Sequence, residues 1–227
     1  MKLIKLLAII PAVLVSDLAA AQQTYVADPA SGSIGLIYTK KAESEPASGS
    51  QYFIENFSPA KIGNSNEVTV VRYNAYSDEL EVKVNEEIKV LQPTEGQIIS
   101  LLNNEAAYQY VSYINKDNVH MQNHLVLINN SPNLKIYKRE KVFLQPEQHP
   151  TGGYQKYKAP MYKKEDPEYY IKINDGDIVY MPTKKKDFLK MFPGKDEEIE
   201  KYMKKHKLSV SDEKELEQLG EYINTIL

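Results

Sequence analysis

Residues 79–90 read Glu-Leu-Glu-Val-Lys-Val-Asn-Glu-Glu-Ile-Lys-Val, and this stretch decides the fold class. On both sides of Asn85-Glu86 apolar residues alternate with charged ones, so the apolar side chains fall on one face of an extended chain. Two such runs joined by a two-residue turn predict an antiparallel hairpin with one face exposed to water. Such a hairpin needs further strands to bury its apolar face.

The neighbouring sequence supplies those strands. Segments rich in β-branched and aromatic residues alternate with clusters of Asn, Asp and Gly, which favour turns. The predicted strands are 68–73, 108–114, 121–128, 134–144, 169–173 and 178–181, with a short edge strand at 154–161. The segment 145–167 is rich in Pro and Gly, which predicts a long connection.

After Pro182 the apolar period changes to that of a helix. Thr183 is predicted to cap a short helix, and a second helix follows Pro193-Gly194. Ser209 or Ser211 is predicted to cap the last helix. Its apolar stripe consists of Leu216, Leu219, Ile223 and Ile226. The predicted fold class is α+β: an antiparallel, hairpin-rich sheet followed by two to three C-terminal helices that pack on it. Strong curvature of the sheet is left open.

The first residues have the layout of a secretory signal peptide. Lys2 and Lys5 precede an apolar run at 6–15, and alanines occupy 19–21. The run is too short to span a membrane. We expect cleavage near Ala21 and export to the periplasm or the extracellular space. The expected organisation is a signal peptide at 1–21, a partly ordered N-terminal arm at 22–50, a β-rich domain at 51–182 and a helical segment at 183–227.

Composition excludes several classes of protein. The chain of 227 residues has no cysteine, which excludes disulfides, a thiol nucleophile and a lipid anchor on cysteine. A formal net charge of −3 gives no global attraction to nucleic acid. No later apolar run approaches the length of a transmembrane helix, so none is expected in the mature chain.

Motifs for a reaction are not evident. The chain contains no Gly-x-Ser-x-Gly elbow, no His-Glu-x-x-His helix and no glycine loop that would cradle a phosphate. His120 and His124 share one face of a predicted strand, but they would lie about 13 Å apart, too far to ligate one metal ion. No catalytic residue, cofactor or metal site is therefore predicted.

One cluster of polar residues is the candidate for a functional or structural role. It comprises Arg72, Tyr73, Asn74, Tyr76, Asp78, Glu79 and Glu81. Glu79 and Glu81 are expected on the exposed face of their strand, and Asp78 in a turn. Arg72 is expected to pair with one of these carboxylates. A structural role is favoured over acid–base chemistry.

The region around this cluster is similar in sequence to a group of other proteins. Residues 71–82, preceded by 49–53 and 57–62, resemble a group of small, uncharacterised secreted bacterial proteins. Tyrosine and lysine segments at 154–161, 169–171 and 182–193 are similar to that group as well. The resemblance implies an envelope protein and provides no activity, substrate or catalytic residue to carry over.

Three functions remain open. The first is a non-enzymatic binding or structural module of the cell envelope, whose partner would be an unidentified envelope protein. The alternative is a carrier of lipid or another apolar ligand, with the C-terminal helices as a lid. A hydrolase of envelope polymers is the least favoured, since no motif supports it.

Overall fold

The computed structural model describes residues 23–24, 37–39, 47–103, 106–150, 152 and 156–227, with the backbone alone at 23–24 and 37–39. The predicted signal peptide at 1–21 lies outside the described residues, as does most of the predicted arm at 22–50. Within the described part of the chain, no helix has both the length and the apolar character needed to cross a membrane.

The described residues form fourteen strands followed by three helices. The strands are β1 (Gln23–Thr24), β2 (Ile37–Thr39), β3 (Ser58–Ile62), β4 (Thr69–Asn74), β5 (Glu79–Val84), β6 (Glu87–Leu91), β7 (Ile98–Leu101), β8 (Ala107–Ile114), β9 (His120–Asn130), β10 (Leu134–Arg139), β11 (Val142–Gln145), β12 (Met161–Lys164), β13 (Glu168–Ile173) and β14 (Val179–Met181). The helices are α1 (Lys185–Leu189), α2 (Asp196–His206) and α3 (Glu213–Ile226). The predicted sheet-rich α+β class with C-terminal helices is confirmed.

Twelve of the strands belong to one sheet, in the order β1-β2-β6-β5-β4-β3-β7-β8-β14-β13-β10-β9. The hairpin predicted from residues 79–90 is β5–β6, and its turn residues Asn85 and Glu86 have φ of 50° and 66°. Positive φ at both turn positions matches the right-handed twist of the two strands. β11 and β12 form a separate two-stranded sheet.

The prediction of a hairpin sheet is incomplete, because five strands close into a barrel. β8 pairs with β9 as well as with β14, which completes the ring β8-β9-β10-β13-β14. The closing pair is parallel, with Val179 opposite Ile114 and the Ile114 amide donating to the Ile178 carbonyl at 2.8 Å. β8 allows this closure because its first residues pair with β7 and its last residue pairs with β14.

Tyrosine side chains fill the barrel. Tyr113, Tyr137 and Tyr170 are at most 2% exposed. The rings of Tyr113 and Tyr170 meet edge to face at 4.5 Å between centroids, a favoured geometry for aromatic pairs. The Tyr137 hydroxyl donates to Gln109 Oε1 at 3.1 Å, which satisfies two buried polar groups. Val111, Leu125 and Ile178 complete this packed interior.

The helices cover the outer face of β10 and β13. Leu134, Ile136 and Ile171 on these strands belong to one buried cluster with the helices. The helical members that are fully buried are Phe188, Ile199, Leu216, Leu219 and Ile223. The helix cap was predicted wrongly: α3 is capped by Asp212, whose carboxylate accepts from the Glu215 amide at 3.1 Å, and neither Ser209 nor Ser211 is the cap.

The predicted cap Thr183 is also wrong, because the N-cap residue of α1 is Lys184 and its side chain makes no capping hydrogen bond. The other differences concern single strands. Sequence reasoning missed the short strands β3 and β7, each of which pairs on both sides. The predicted strand 134–144 is two strands, β10 and β11, in different sheets. Residues 154–155 of the edge strand expected at 154–161 lie outside the described residues, and the strand that follows this segment is β12 (Met161–Lys164), which pairs with β11.

We expect that replacement of Ile223 by alanine lowers the free energy of unfolding by about 2 to 5 kcal/mol, because it leaves a cavity between α3 and the barrel. The matched control is Thr225→Ala, two residues further along α3 at an exposed position. Chemical denaturation of both variants checks this. Equal stability of the two variants would show that α3 does not depend on docking.

Alkaline pH provides a test of the barrel interior. Burial raises the pKa of Tyr113 and that of Tyr137 to about 12 each, whereas unfolded tyrosine ionises near pH 10. Between these values the unfolded chain loses protons that the folded chain keeps, so the free energy of unfolding falls by about 1.4 kcal/mol per pH unit for each tyrosine. Below pH ~10 these groups contribute no pH dependence.

The measurement is thermal unfolding across this pH range, together with the ultraviolet absorbance of tyrosinate. Tyr137→Phe removes one of the two groups, so its stability should decline less steeply with pH than that of the unmodified protein. Complete ionisation of the tyrosines near pH ~10 in a protein that keeps its native circular dichroism would contradict the packed interior.

Candidate functional site

The seven residues of the candidate cluster fall on two faces of the β4–β5 hairpin, because successive side chains of a strand point to opposite faces. Arg72, Asn74 and Glu81 lie under the segment 51–57, which crosses the back of the hairpin. Tyr73 and Asp78 lie instead against β9. Tyr76 is exposed, and Glu79 accepts a hydrogen bond from Ser77 at 2.9 Å. The sequence cluster is therefore not one site.

The first group, here called the clamp cluster, consists of Gln51, Tyr52, Arg72, Asn74 and Glu81. Arg72 and Glu81 form an ion pair at 2.6 Å, and Glu81 is only 1% exposed. The expected pairing of Arg72 with a carboxylate is present. Glu81 was expected on the exposed face and is buried instead, because the segment 51–57 covers it.

The polar side chains of the clamp cluster are hydrogen-bonded to one another. The Tyr52 hydroxyl donates to Glu81 at 3.1 Å, and the Arg72 guanidinium stacks 3.8 Å from the Tyr52 ring centroid. Asn74 donates to Gln51 at 2.7 Å. A buried charge pair that is fully hydrogen-bonded fixes one geometry, and here it ties the segment 51–57 to the hairpin.

The second group, here called the Asp78 cluster, consists of Tyr73, Asp78, Asn123 and His124. Asp78 has a φ of 57°, and its carboxylate lies against β9. The carboxylate accepts hydrogen bonds from the Tyr73 hydroxyl at 2.8 Å, the Asn123 amide at 2.7 Å and the His124 backbone at 3.0 Å. The His124 ring lies 3.3 Å from the same carboxylate.

An aspartate beside a histidine resembles the pair that orients a general base. The His124 ring, however, is 2% exposed and is packed between Tyr73 and Tyr110, so a substrate has no access to it. Burial, and after it the charge of Asp78, raises the pKa of Tyr73 well above its ordinary value, so this hydroxyl stays protonated. The Asp78 cluster therefore fixes the turn of the hairpin on β9. No local pattern predicts this cluster, because Asp78 and His124 are far apart in the chain.

Ser58 and Lys61 have the Ser-x-x-Lys spacing of some nucleophilic enzymes, a feature that sequence reasoning missed. That spacing needs a helix, where residues three apart share a face. In β3 the two side chains point to opposite faces. Ser58 is buried, and its hydroxyl accepts from Asn103 at 3.3 Å. The spacing forms no catalytic pair here.

A cleft of about 230 Å³ opens beside the Asp78 cluster. Arg139, Glu140 and Lys141 line it, and each is paired: Arg139 with Glu168 at 3.4 Å, Glu140 with Lys138 at 3.1 Å and Lys141 with Glu165 at 2.8 Å. Partial burial raises the pKa of Glu168, but Lys116, Tyr170 and Arg139 outweigh it and lower the pKa below its ordinary value. The charges around this cleft hold one another in place.

A larger groove, of about 870 Å³, lies between β9, the end of β7, the start of β8 and the start of α3. Leu101, Ala106, Val126 and Ile128 form its apolar floor. Asp212, Glu213, Lys214 and Glu217 form its rim, on the first turns of α3. These four rim residues are exposed, and three of them are acidic. We call this surface the α3 groove.

No group of three or more His, Asp or Glu side chains that could hold a metal ion occurs within the described ranges. Comparison of the chain with protein families, with curated proteins and with solved structures finds no match. The resemblance to secreted bacterial proteins therefore stays a prediction.

We expect that Glu81→Gln lowers the free energy of unfolding by about 3 kcal/mol, because it leaves the largely buried Arg72 charge without its counter-ion. The matched control is Glu86→Gln on the same hairpin, where the ion pair with Lys83 at 2.7 Å is exposed and contributes little. Urea denaturation of both variants is the measurement. A Glu81→Gln protein as stable as the control would show that the clamp cluster does not hold the segment 51–57.

Proposed function

We propose that this chain is an exported protein of the bacterial cell envelope that works as a non-enzymatic binding module, with the α3 groove as its binding surface. The basic, apolar and small-residue order of the first twenty-one residues supports export. The partner is an envelope protein.

The contrast between the polar clusters and the α3 groove carries the proposal. The side chains of the clamp cluster are hydrogen-bonded within that cluster, and those of the Asp78 cluster are hydrogen-bonded within theirs. Glu81 and His124 are at most 2% exposed. Groups in that state have no access to a substrate. The α3 groove, by comparison, combines an apolar floor with an exposed charged rim, which is the usual composition of a binding surface.

A carrier of an apolar ligand is the second candidate, supported by the size and the apolar floor of the α3 groove. The barrel interior does not favour it, because Tyr113, Tyr137 and Tyr170 fill the space that a lipid chain would need. A carrier would therefore have to hold its ligand in the α3 groove, below the acidic rim.

Two measurements on the protein from its own host test the proposal. Fractionation with sequencing of the amino terminus should find a mature species outside the cytosol that begins near Gln22. Native mass spectrometry of that species should show no retained small molecule, while mild cross-linking in intact cells should join it to a partner protein.

A chain that stays in the cytosol with residues 1–21 attached would contradict export. A stoichiometric lipid in the native mass spectrum would favour the carrier. Turnover of glycan, peptide or ester substrates by the purified protein would contradict a non-enzymatic role.

A further inference from the structure

We propose that the cleft beside the Asp78 cluster is a second binding site, which takes one neutral sugar residue of a glycan. The cleft and the α3 groove have no lining residue in common, so this site goes beyond the proposed function. Three features of the cleft lead to the proposal: its mixture of hydrogen-bond donors and acceptors, its balance of charge and the exposed tyrosine that lines it.

Donors and acceptors of hydrogen bonds line the cleft together. Asp78 and Glu140 supply carboxylate oxygens, and Arg139 and Lys141 supply N–H groups. The Asp78 side chain is 24% exposed, and its Oδ2 atom accepts from the Asn123 amide alone among the described residues. A carboxylate oxygen can accept two hydrogen bonds, so Asp78 has capacity left for a ligand.

Arg139 has spare capacity as well. In the described part of the chain it donates to Glu168 through Nη1, at 3.4 Å, and a guanidinium has five N–H donors. A hydroxyl group both donates and accepts, so a ring with several hydroxyls can use the donors and the acceptors of the cleft at once. An anion such as phosphate would use the donors only.

The polar groups of the cleft are fixed before any ligand binds. The ion pairs described above hold Arg139, Glu140 and Lys141, and hydrogen bonds to β9 hold Asp78. A ligand that meets groups already in place loses less free energy to their ordering. This arrangement favours binding through several simultaneous hydrogen bonds.

The balance of charge favours a neutral ligand. Two carboxylates and two basic groups line the cleft, which gives it a formal net charge of zero. Glu140, Arg139 and Lys141 each have an ion-pair partner outside the cleft. A charged ligand would compete with these ion pairs and would also meet a group of its own sign. A neutral sugar leaves every ion pair intact.

Tyr76 supplies the apolar contact. It lines the cleft and is 42% exposed, and its ring meets the Tyr162 ring edge to face at 5.0 Å between centroids. That contact restrains the Tyr76 ring. A sugar ring has apolar C–H faces and hydroxyls around its edge, so it can contact an aromatic ring and polar groups together.

The size of the cleft limits the ligand to one ring. Its volume of about 230 Å³ is below the roughly 300 Å³ at which pockets for whole small molecules begin. The rest of a glycan would lie outside. A purely apolar ligand fits poorly, because it would cover the donors and acceptors without forming hydrogen bonds. His124 is buried beneath the cleft, so we expect binding of the sugar without hydrolysis.

The test is a titration of the purified protein with methyl glycosides of glucose, galactose, mannose and N-acetylglucosamine, followed by saturation-transfer nuclear magnetic resonance. At least one of these neutral sugars should bind saturably, with a dissociation constant on the order of 1 to 10 mM for a ligand of this size. Added salt should not weaken the binding, because the ligand carries no charge. Glucosamine and methyl glucuronoside, which are charged, should bind more weakly than their neutral counterparts.

Tyr76→Ala should weaken binding of the neutral sugar by about fivefold, because it removes the aromatic contact. The matched control is Tyr157→Ala, which removes another exposed tyrosine, outside the cleft. The control should bind as the parent protein does. Circular dichroism of both variants should show the native fold, since neither side chain is buried.

The absence of binding by all four neutral glycosides would overturn the proposal, and so would equal weakening by the two substitutions. Tighter binding of a charged sugar that is lost on addition of salt would also overturn it, because the ligand class would then be wrong. None of these outcomes affects the proposed binding function of the α3 groove, which is tested separately by cross-linking in cells.

Discussion

The architecture depends on the way in which β8 divides one of its edges between two partners. Its first residues continue the open sheet through β7, and its last residue closes the barrel through β14. The opposite edge pairs with β9 along almost its whole length. β8 is therefore a wall of the barrel and a strand of the open sheet at once, and its two faces serve two cores: Val111 and Tyr113 face the barrel, and Tyr108 packs with Tyr73 of the open sheet.

Around β8, buried polar side chains fix neighbouring segments of the chain in place. Tyr73, Asp78, Asn123 and His124 fix the β4–β5 turn on β9, and the clamp cluster fixes the segment 51–57 on the back of the same hairpin. These groups are hydrogen-bonded to one another, and buried polar clusters whose members are satisfied in this way specify a single arrangement. The α3 groove, in contrast, is open to solvent. Its acidic residues lie at the start of α3, and a different, apolar face of this helix packs on the barrel.

Patterns among neighbouring residues predicted the strands and helices. The closure of the barrel and the burial of Glu81 depend on contacts between distant residues, which such patterns do not predict. The alternation at 79–90 identified β5 and β6, and the apolar stripe of Leu216, Leu219 and Ile223 identified α3, since both depend on neighbours in sequence. The predicted strands 169–173 and 178–181 pair as the hairpin β13–β14, and Asn174 in its turn has a positive φ of 52°. No periodic pattern in the sequence predicts the parallel β8–β14 pair. Glu81 was placed wrongly because the segment that buries it, 51–57, has no regular pattern.

The closing pair also has a consequence for how the chain folds. Ile114 belongs to β8 and Val179 to β14, the last of the described strands, so the ring cannot close until all five of its strands are available. Pairings between such distant residues bear a loop-closure cost before they gain any contact, and they slow folding relative to local hairpins. The hairpins β5–β6 and β8–β9 can form first, whereas the barrel waits for β14. The rate-limiting step of folding should therefore involve the docking of β13 and β14 onto β8, with the final packing of the three helices following from it.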